Sequence, residues 1–167
     1  MKINIILDDI TKLKTDAIVN AANRQLAGGG GVDGAIHKAG GSAILEECRQ
    51  IGYCETGKAV VTTAGNLLSR YLIHTVGPIW HEHPALMADL LLSLSYRNSL
   101  LLADHLDCKS LAFPNISTGV YGFPKDRAAE LVKEVVQHFE PEKLEILTFC
   151  CFDQENYDIY NELFKTF

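Results

Sequence analysis

Apolar and polar residues follow one another along this chain in two rhythms. Short aliphatic and β-branched runs at 3–7, 17–20, 59–63, 71–76, 111–114 and 144–149 read as strands, several of them apolar on both faces as buried strands are. Between them, 32–38, 42–51, 86–105, 125–139 and 154–164 repeat their apolar positions with the period of a helix that packs on one side. The alternation predicts an α/β layered domain around a mostly buried sheet. No low-complexity stretch, internal repeat or linker interrupts it, so residues 1–167 are expected to form a single domain.

Composition narrows the function classes. A chain of 167 residues, 47% of them hydrophobic, fills one sizeable core and is too short for two ordinary ones. A formal net charge of -6 argues against a broad nucleic-acid surface, so nucleic acid is not an expected partner. No run has the apolar length that spans a bilayer, and the opening MKINIILDDITKLK meets charge with no small-residue cleavage site. No membrane association and a cytoplasmic location are therefore expected. Cys48, Cys54, Cys108, Cys150 and Cys151 are odd in number and form no C-x-x-C, which predicts neither a disulfide framework nor a zinc ribbon. Cys150 and Cys151 close an apolar run and read as buried strand residues. With no histidine or basic group placed beside a cysteine, a cysteine nucleophile is not expected.

Two loops stand out against this background. The first lies in NAANRQLAGGGGVDGAIH, residues 20–37, where four successive glycines lead into a helix expected to start near Val32. Such a loop leaves backbone amides uncovered, Gly30, Gly31 and Val32 among them, and aims a helix N-terminus at the same place, which suits a phosphate. Asp33 and His37, four apart, share one face of that helix. The second loop is ISTGVYGFP, residues 116–124, ahead of a helix that Pro124 is suited to open at its first position. In open α/β sheets ligands sit where loops leave the C-terminal ends of strands, and two anion loops on one edge suit a diphosphate.

Two glycine motifs are discounted. Gly29, Gly31 and Gly34 satisfy G-x-G-x-x-G almost by default in a tetraglycine run, and the run does not follow its strand at once as a dinucleotide fingerprint requires. GYCETGK at 52–58 resembles a phosphate loop up to its lysine, but Ala59 stands where a Mg²⁺-binding hydroxyl belongs and a strand follows instead of a helix. His81 and His83 in WHEHP read as solvated, and His74 in YLIHTVGP as a core histidine with a structural hydrogen bond.

Taken singly, Asp33 is an ordinary first-turn aspartate and His37 an ordinary helical side chain. Beside Asn20 and Asn23 they acquire a function, because a carboxamide can fix sugar hydroxyls while a carboxylate orients or deprotonates water. Tyr121, between the glycines of the second loop, either covers a sugar or packs over the loop. Asp9, at the end of the first strand, either accepts from an exocyclic amino group or caps a turn. Phe152, after the last strand, either stacks on a base or plugs the sheet end.

DAIVNAAN (16–23), GGGGVDGAIH (28–37), HTVGP (74–78), FPNISTGVYGFP (113–124) and the closing CCFDQEN together resemble the macrodomains, and within them the MacroD-type ADP-ribose hydrolases that include bacterial O-acetyl-ADP-ribose deacetylases. The resemblance covers essentially the whole chain. It implies a three-layer α/β/α sandwich with a mixed, mostly parallel central sheet, and a site for ADP-ribose. Asp9 would then meet the adenine amino group, Ile10 would contribute its backbone, and Phe152 would border the base. Ser117, Thr118, Gly119, Val120 and Gly122 would surround the phosphates. Asn23 would hold the distal ribose with Tyr121 stacked near it, Asp33 would activate water, and His37 would support it. The implied reaction is ester hydrolysis on O-acetyl-ADP-ribose or on ADP-ribose carried by a protein Asp or Glu, with no metal and no cofactor. Alternatives are a reader module that binds ADP-ribose without turnover and a phosphatase for its phosphate esters. The family usually carries glycine where Asp8 stands; should that position need positive φ, aspartate there is strained.

Overall fold

Six strands and five helices appear in the computed structural model, which describes all 167 residues. In chain order they are β1 (Lys2–Leu7), β2 (Ala17–Ala21), α1 (Gly31–Gly40), α2 (Ser42–Ile51), β3 (Ala59–Thr63), β4 (Tyr71–Thr75), α3 (Ala85–His105), β5 (Ser110–Phe113), α4 (Lys125–His138), β6 (Ile146–Cys151) and α5 (Gln154–Leu163). The sheet order is β1-β6-β5-β2-β4-β3. Every neighbouring pair is parallel except β3 with β4. Parallel neighbours need long crossovers, and the helices supply most of them while covering both faces.

The two-residue period of the strands sorts side chains between the layers. On β2, Ala17 and Val19 join a core built with α3, α4 and α5, while Ile18 joins the core built with α1 and α2. Leu72 on β4 faces the same way as Ile18. Asn20 and His74 continue those two rows, are paired in register and are fully buried, so the α1 layer covers two polar side chains where apolar ones would be ordinary.

Some expected boundaries move. β6 runs over Ile146–Cys151, because its register with β1 carries Cys150 and Cys151 opposite Ile6 and Leu7. Leu144 is buried ahead of the strand, and its N–H is taken by the carboxylate of Asp104 at 2.8 Å. Pro124 caps α4 from outside and does not open it. Two single 3₁₀ turns, Ile10–Lys12 and Trp80–Glu82, are too short to have a readable period.

The topology positions the site. The segments with Asp9, Phe152, residues 117–122 and the glycine run leave the C-terminal ends of β1, β6, β5 and β2, which are four consecutive strands of the sheet. At ordinary strand spacing that edge extends about 14 Å.

Candidate active site

Asp33 lies on the buried side of α1, in line with Ile36 and Gly40, over the polar end of β2. Asn20 Nδ2 donates to Asp33 Oδ1 at 2.8 Å, and His37 Nε2 stands 3.3 Å from the same oxygen. Asp33 retains only 6% exposure. Burial pushes its carboxyl above the ordinary value, while the bond from Asn20 and the charge of His37 pull the other way. The result is a carboxylate more basic than one in water, a property suited to taking a proton. Oδ2 has no protein hydrogen bond and is not sealed from solvent. Asn20 was expected to touch a sugar; fully buried, with its amide engaged by Asp33 and His74, it instead supports Asp33 from below.

The glycine loop forms the rim above this carboxylate. Gly30 is the N-cap of α1 and offers no side chain, and the amides of Gly31, Val32 and Asp33 take no backbone partner before Gly34 N–H closes on Gly30 O. Gly34 is required by contact: a Cβ there would overlap the carbonyl oxygen of Gly29. Asn23 spans the loop from inside, donating through Nδ2 to Gly28 O at 2.8 Å and accepting at Oδ1 from Ala27 N–H at 3.1 Å. One Nδ2 hydrogen and one lone pair are left over.

Opposite lies the second loop. Ser117 adopts φ 66, and the turn closes through Gly122 N–H to Gly119 O at 3.0 Å and Phe123 N–H to Ser117 O at 2.9 Å. Gly119, Val120 and Gly122 are exposed, whereas Ser117 and Thr118 are buried. Tyr121 is half-buried, and its carbonyl accepts from Trp80 N–H at 2.9 Å, tying the loop to the turn at Trp80–Glu82. Burial raises the Tyr121 hydroxyl pKa and the nearby charge of Asp33 adds to it, so the second loop brings Tyr121 close to that carboxylate.

At the β1 end, Asp9 caps the first 3₁₀ turn and accepts from Thr11 Oγ1 at 2.7 Å and Thr11 N–H at 2.9 Å. The side-chain and backbone bonds from Thr11 hold its carboxyl below the usual range. Ile10 is buried beneath it. Phe152 is 90% exposed, which removes the plug reading and leaves a ring free to stack. Asp8 is not among the residues with positive φ; its N–H continues the β1–β6 ladder to Cys151 O at 3.1 Å, so the expected strain is absent.

Sequence reasoning passed over several supports. Gly77, at the end of HTVGP, lies so close to Ser117 that a Cβ would overlap Ser117 Oγ. Asn156 of α5, 1% exposed, donates to Thr118 Oγ1 at 3.4 Å. Cys48 Sγ lies 3.8 Å from His74 Nε2, so a histidine does stand beside a cysteine after all. Burial pushes that thiol up to about 11, which keeps it protonated and leaves it unsuited to nucleophilic attack. A polar residue inside an apolar strand run is the one local signal that marked His74. No three His, Cys, Asp or Glu side chains converge as a metal site, and no helix is long and apolar enough to cross a membrane.

Comparison with known proteins is consistent with this geometry. Residues 19–132 match the Macro domain family. O-acetyl-ADP-ribose deacetylase 1 of Pantoea vagans is 52% identical over 170 residues, spanning 97% of this chain and 98% of that protein. The O-acetyl-ADP-ribose deacetylase of Escherichia fergusonii is 52% identical over 173 residues, 97% and 94% of the two chains. Among solved structures, a mutant macrodomain of Oceanobacillus iheyensis with ADPR superposes with a TM-score of 0.91 at 41% identity, covering 97% of this chain and 91% of that one.

Proposed function

The chain belongs to the Macro domain family, and on that premise we propose that it hydrolyses ADP-ribose esters, both O-acetyl-ADP-ribose and mono-ADP-ribose carried by protein Asp or Glu. The observation that carries this reading is the free Oδ2 of Asp33, a buried carboxylate fixed through its other oxygen by Asn20 and His37 at the mouth of an anion loop. A site for binding alone has no use for that arrangement.

The order of strands supports the choice of ligand. Across β1, β6, β5 and β2 come Asp9 with Phe152, then the exposed amides of the second loop, then the glycine loop with Asn23 and Asp33. That sequence is base, diphosphate and sugar. Asp9, held ionised by Thr11, accepts from the adenine amino group while Ile10 offers its backbone and Phe152 stacks. Gly30, Gly31 and Val32 on one side and Ser117, Thr118, Gly119 and Val120 on the other donate to the phosphates, while Gly122, whose N–H closes the turn on Gly119 O, lines them without donating. The spare Nδ2 hydrogen of Asn23 reaches a ribose hydroxyl, with Tyr121 over the ring.

In the reaction, a water on Asp33 Oδ2 gives its proton to that oxygen as it attacks the acyl carbonyl. The tetrahedral intermediate then expels the ribose oxygen, which takes a proton back, leaving a carboxylate and a free ribose hydroxyl. Helix α1 amides lower the energy of the negative charge throughout. Five buried free thiols fit a reducing compartment, which supports the cytoplasm as its location.

Purified protein incubated with O-acetyl-ADP-ribose and with an automodified mono-ADP-ribosylated protein should consume both. Substrates left intact at high enzyme concentration would overturn the proposal. A thermal shift with ADP-ribose alone, and none with AMP or NAD, accompanied by no turnover, would make the protein a reader.

A further inference from the structure

Asp33 is held by Asn20, yet nothing in Asn20 itself decides which end of its amide faces the carboxylate. Its Oδ1 is buried without a partner, so the oxygen anchors nothing. Turned over, the amide would set oxygen against carboxylate and leave Asp33 Oδ1 without that donor. The second contact of Nδ2, His74 Nδ1 at 3.2 Å, locks the amide in the orientation that the carboxylate also favours. It can do so only as an acceptor.

The far side of the imidazole fixes that. His74 Nε2 is 2.9 Å from Thr62 Oγ1, whose own hydrogen goes to Thr63 O at 2.9 Å. Thr62 can then only accept at that contact, so Nε2 carries the proton and Nδ1 is left with its lone pair. The chain of donors runs from His74 Nε2 through Thr62 to a backbone carbonyl, and from Asn20 to His74 Nδ1 on one side and Asp33 on the other. His74 is fully buried, and burial first, then the charge of His37, lowers its pKa to about 4. The imidazole therefore stays neutral at the pH where hydrolysis is wanted.

We propose that His74 is a positioning residue for hydrolysis: its neutral Nδ1 accepts from Asn20 and so turns the amide that holds Asp33 ionised and aimed. This rests on Asp33 being the group that handles the water. Around the pair stand His37 on α1, with its ring 6.3 Å from that of His74, Cys48 and Glu47 on α2, and Tyr121 in the second loop. Of these, Cys48 approaches the Nε2 side and leaves the Asn20 contact untouched. Removing the acceptor frees Asn20, and an Asp33 without its donor holds a proton to higher pH.

The test combines the His74 imidazole ¹⁵N shifts, the carboxyl ¹³C titration of Asp33, and kcat and KM for O-acetyl-ADP-ribose against pH, in wild type, His74→Leu, His74→Asn and Thr62→Val. Wild type should show the Nε2–H tautomer at neutral pH. In His74→Leu, kcat should fall about tenfold with KM little changed. The Asp33 midpoint and the acid limb of kcat should both move to higher pH. His74→Asn, which can present a carbonyl oxygen near the Nδ1 position, should recover most of the loss. Thr62→Val should move the Asp33 midpoint the same way by less. An Nδ1–H tautomer in wild type, or an Asp33 titration unmoved in His74→Leu, overturns the proposal; should that variant not fold, an unmoved titration in Thr62→Val does so. If wild type leaves the ester intact, the hydrolase reading fails, while the tautomer and the Asp33 titration still decide the role of His74.

Discussion

At the scale of single residues, Asp33 is asked to be both buried and charged. Its pKa in the folded state lies above the unfolded value, so the folded form is favoured as pH falls through that range and carries a cost once Asp33 ionises. A neutral isostere removes the cost. Asp33→Asn is predicted to raise Tm at neutral pH by about 2–4 °C while abolishing turnover, read by calorimetry and an ester assay on the same preparation. A lowered Tm would mean that the site is not strained by its charge. Phe152 presents the converse case, an apolar ring that contributes nothing to the core at 90% exposure. Phe152→Ala should weaken ADP-ribose by about tenfold by titration calorimetry, with Tm of the free protein unchanged. The spacing of Asp33 and His37 made them legible in the sequence as partners, since four residues is a helical repeat. Asn20 was misjudged because its partners, Asp33 and His74, are distant in sequence and come from α1 and β4.

At the scale of elements, the site depends on how closely α1 approaches the loop before it. Gly34 is the point of contact, and a methyl group there would push against the Gly29 carbonyl and displace the glycine loop. Gly34→Ala should therefore leave far-UV circular dichroism unchanged while turnover falls about 100-fold and ADP-ribose binding weakens. Undiminished turnover would show that the loop geometry is not needed. Helix and strand interiors were readable because their periods extend over many residues. The end of β6 at Cys150 and Cys151 was legible as buried strand, but its start at Ile146 was not, since it is set by pairing with β1 at the opposite end of the chain. The capping of the Ile10–Lys12 turn by Asp9 rests on a contact with Thr11, two residues on, that no periodicity reports.

At the scale of the whole molecule, strand order decides what the site can hold. The composition and alternation implied a layered α/β domain, and the motifs implied the family, but local pattern alone could not place β6 between β1 and β5. That placement brings Phe152 next to Asp9 and the second loop between them and Asp33. A buried polar row beneath α1 also makes stability depend on pH. His74 has a folded pKa of about 4 against 6.5, so between those values the unfolded chain binds a proton that the folded one refuses. Its contribution to stability is full above about 6.5 and is lost as pH falls toward about 4, amounting to roughly 3 kcal/mol at most. Asp33 acts in the opposite direction over its own range, so the difference between wild type and His74→Asn isolates the histidine. Urea unfolding at several pH values should give a shallower decline for the variant, and parallel declines would remove His74 as the source.

The most direct measurement of the central claim is single-turnover hydrolysis of O-acetyl-ADP-ribose by wild type and Asp33→Ala, with ADP-ribose affinity determined for both. If Asp33 Oδ2 handles the water, the variant keeps its affinity within about threefold and loses hydrolysis by at least about 100-fold. Equal hydrolysis in the two proteins would contradict the account.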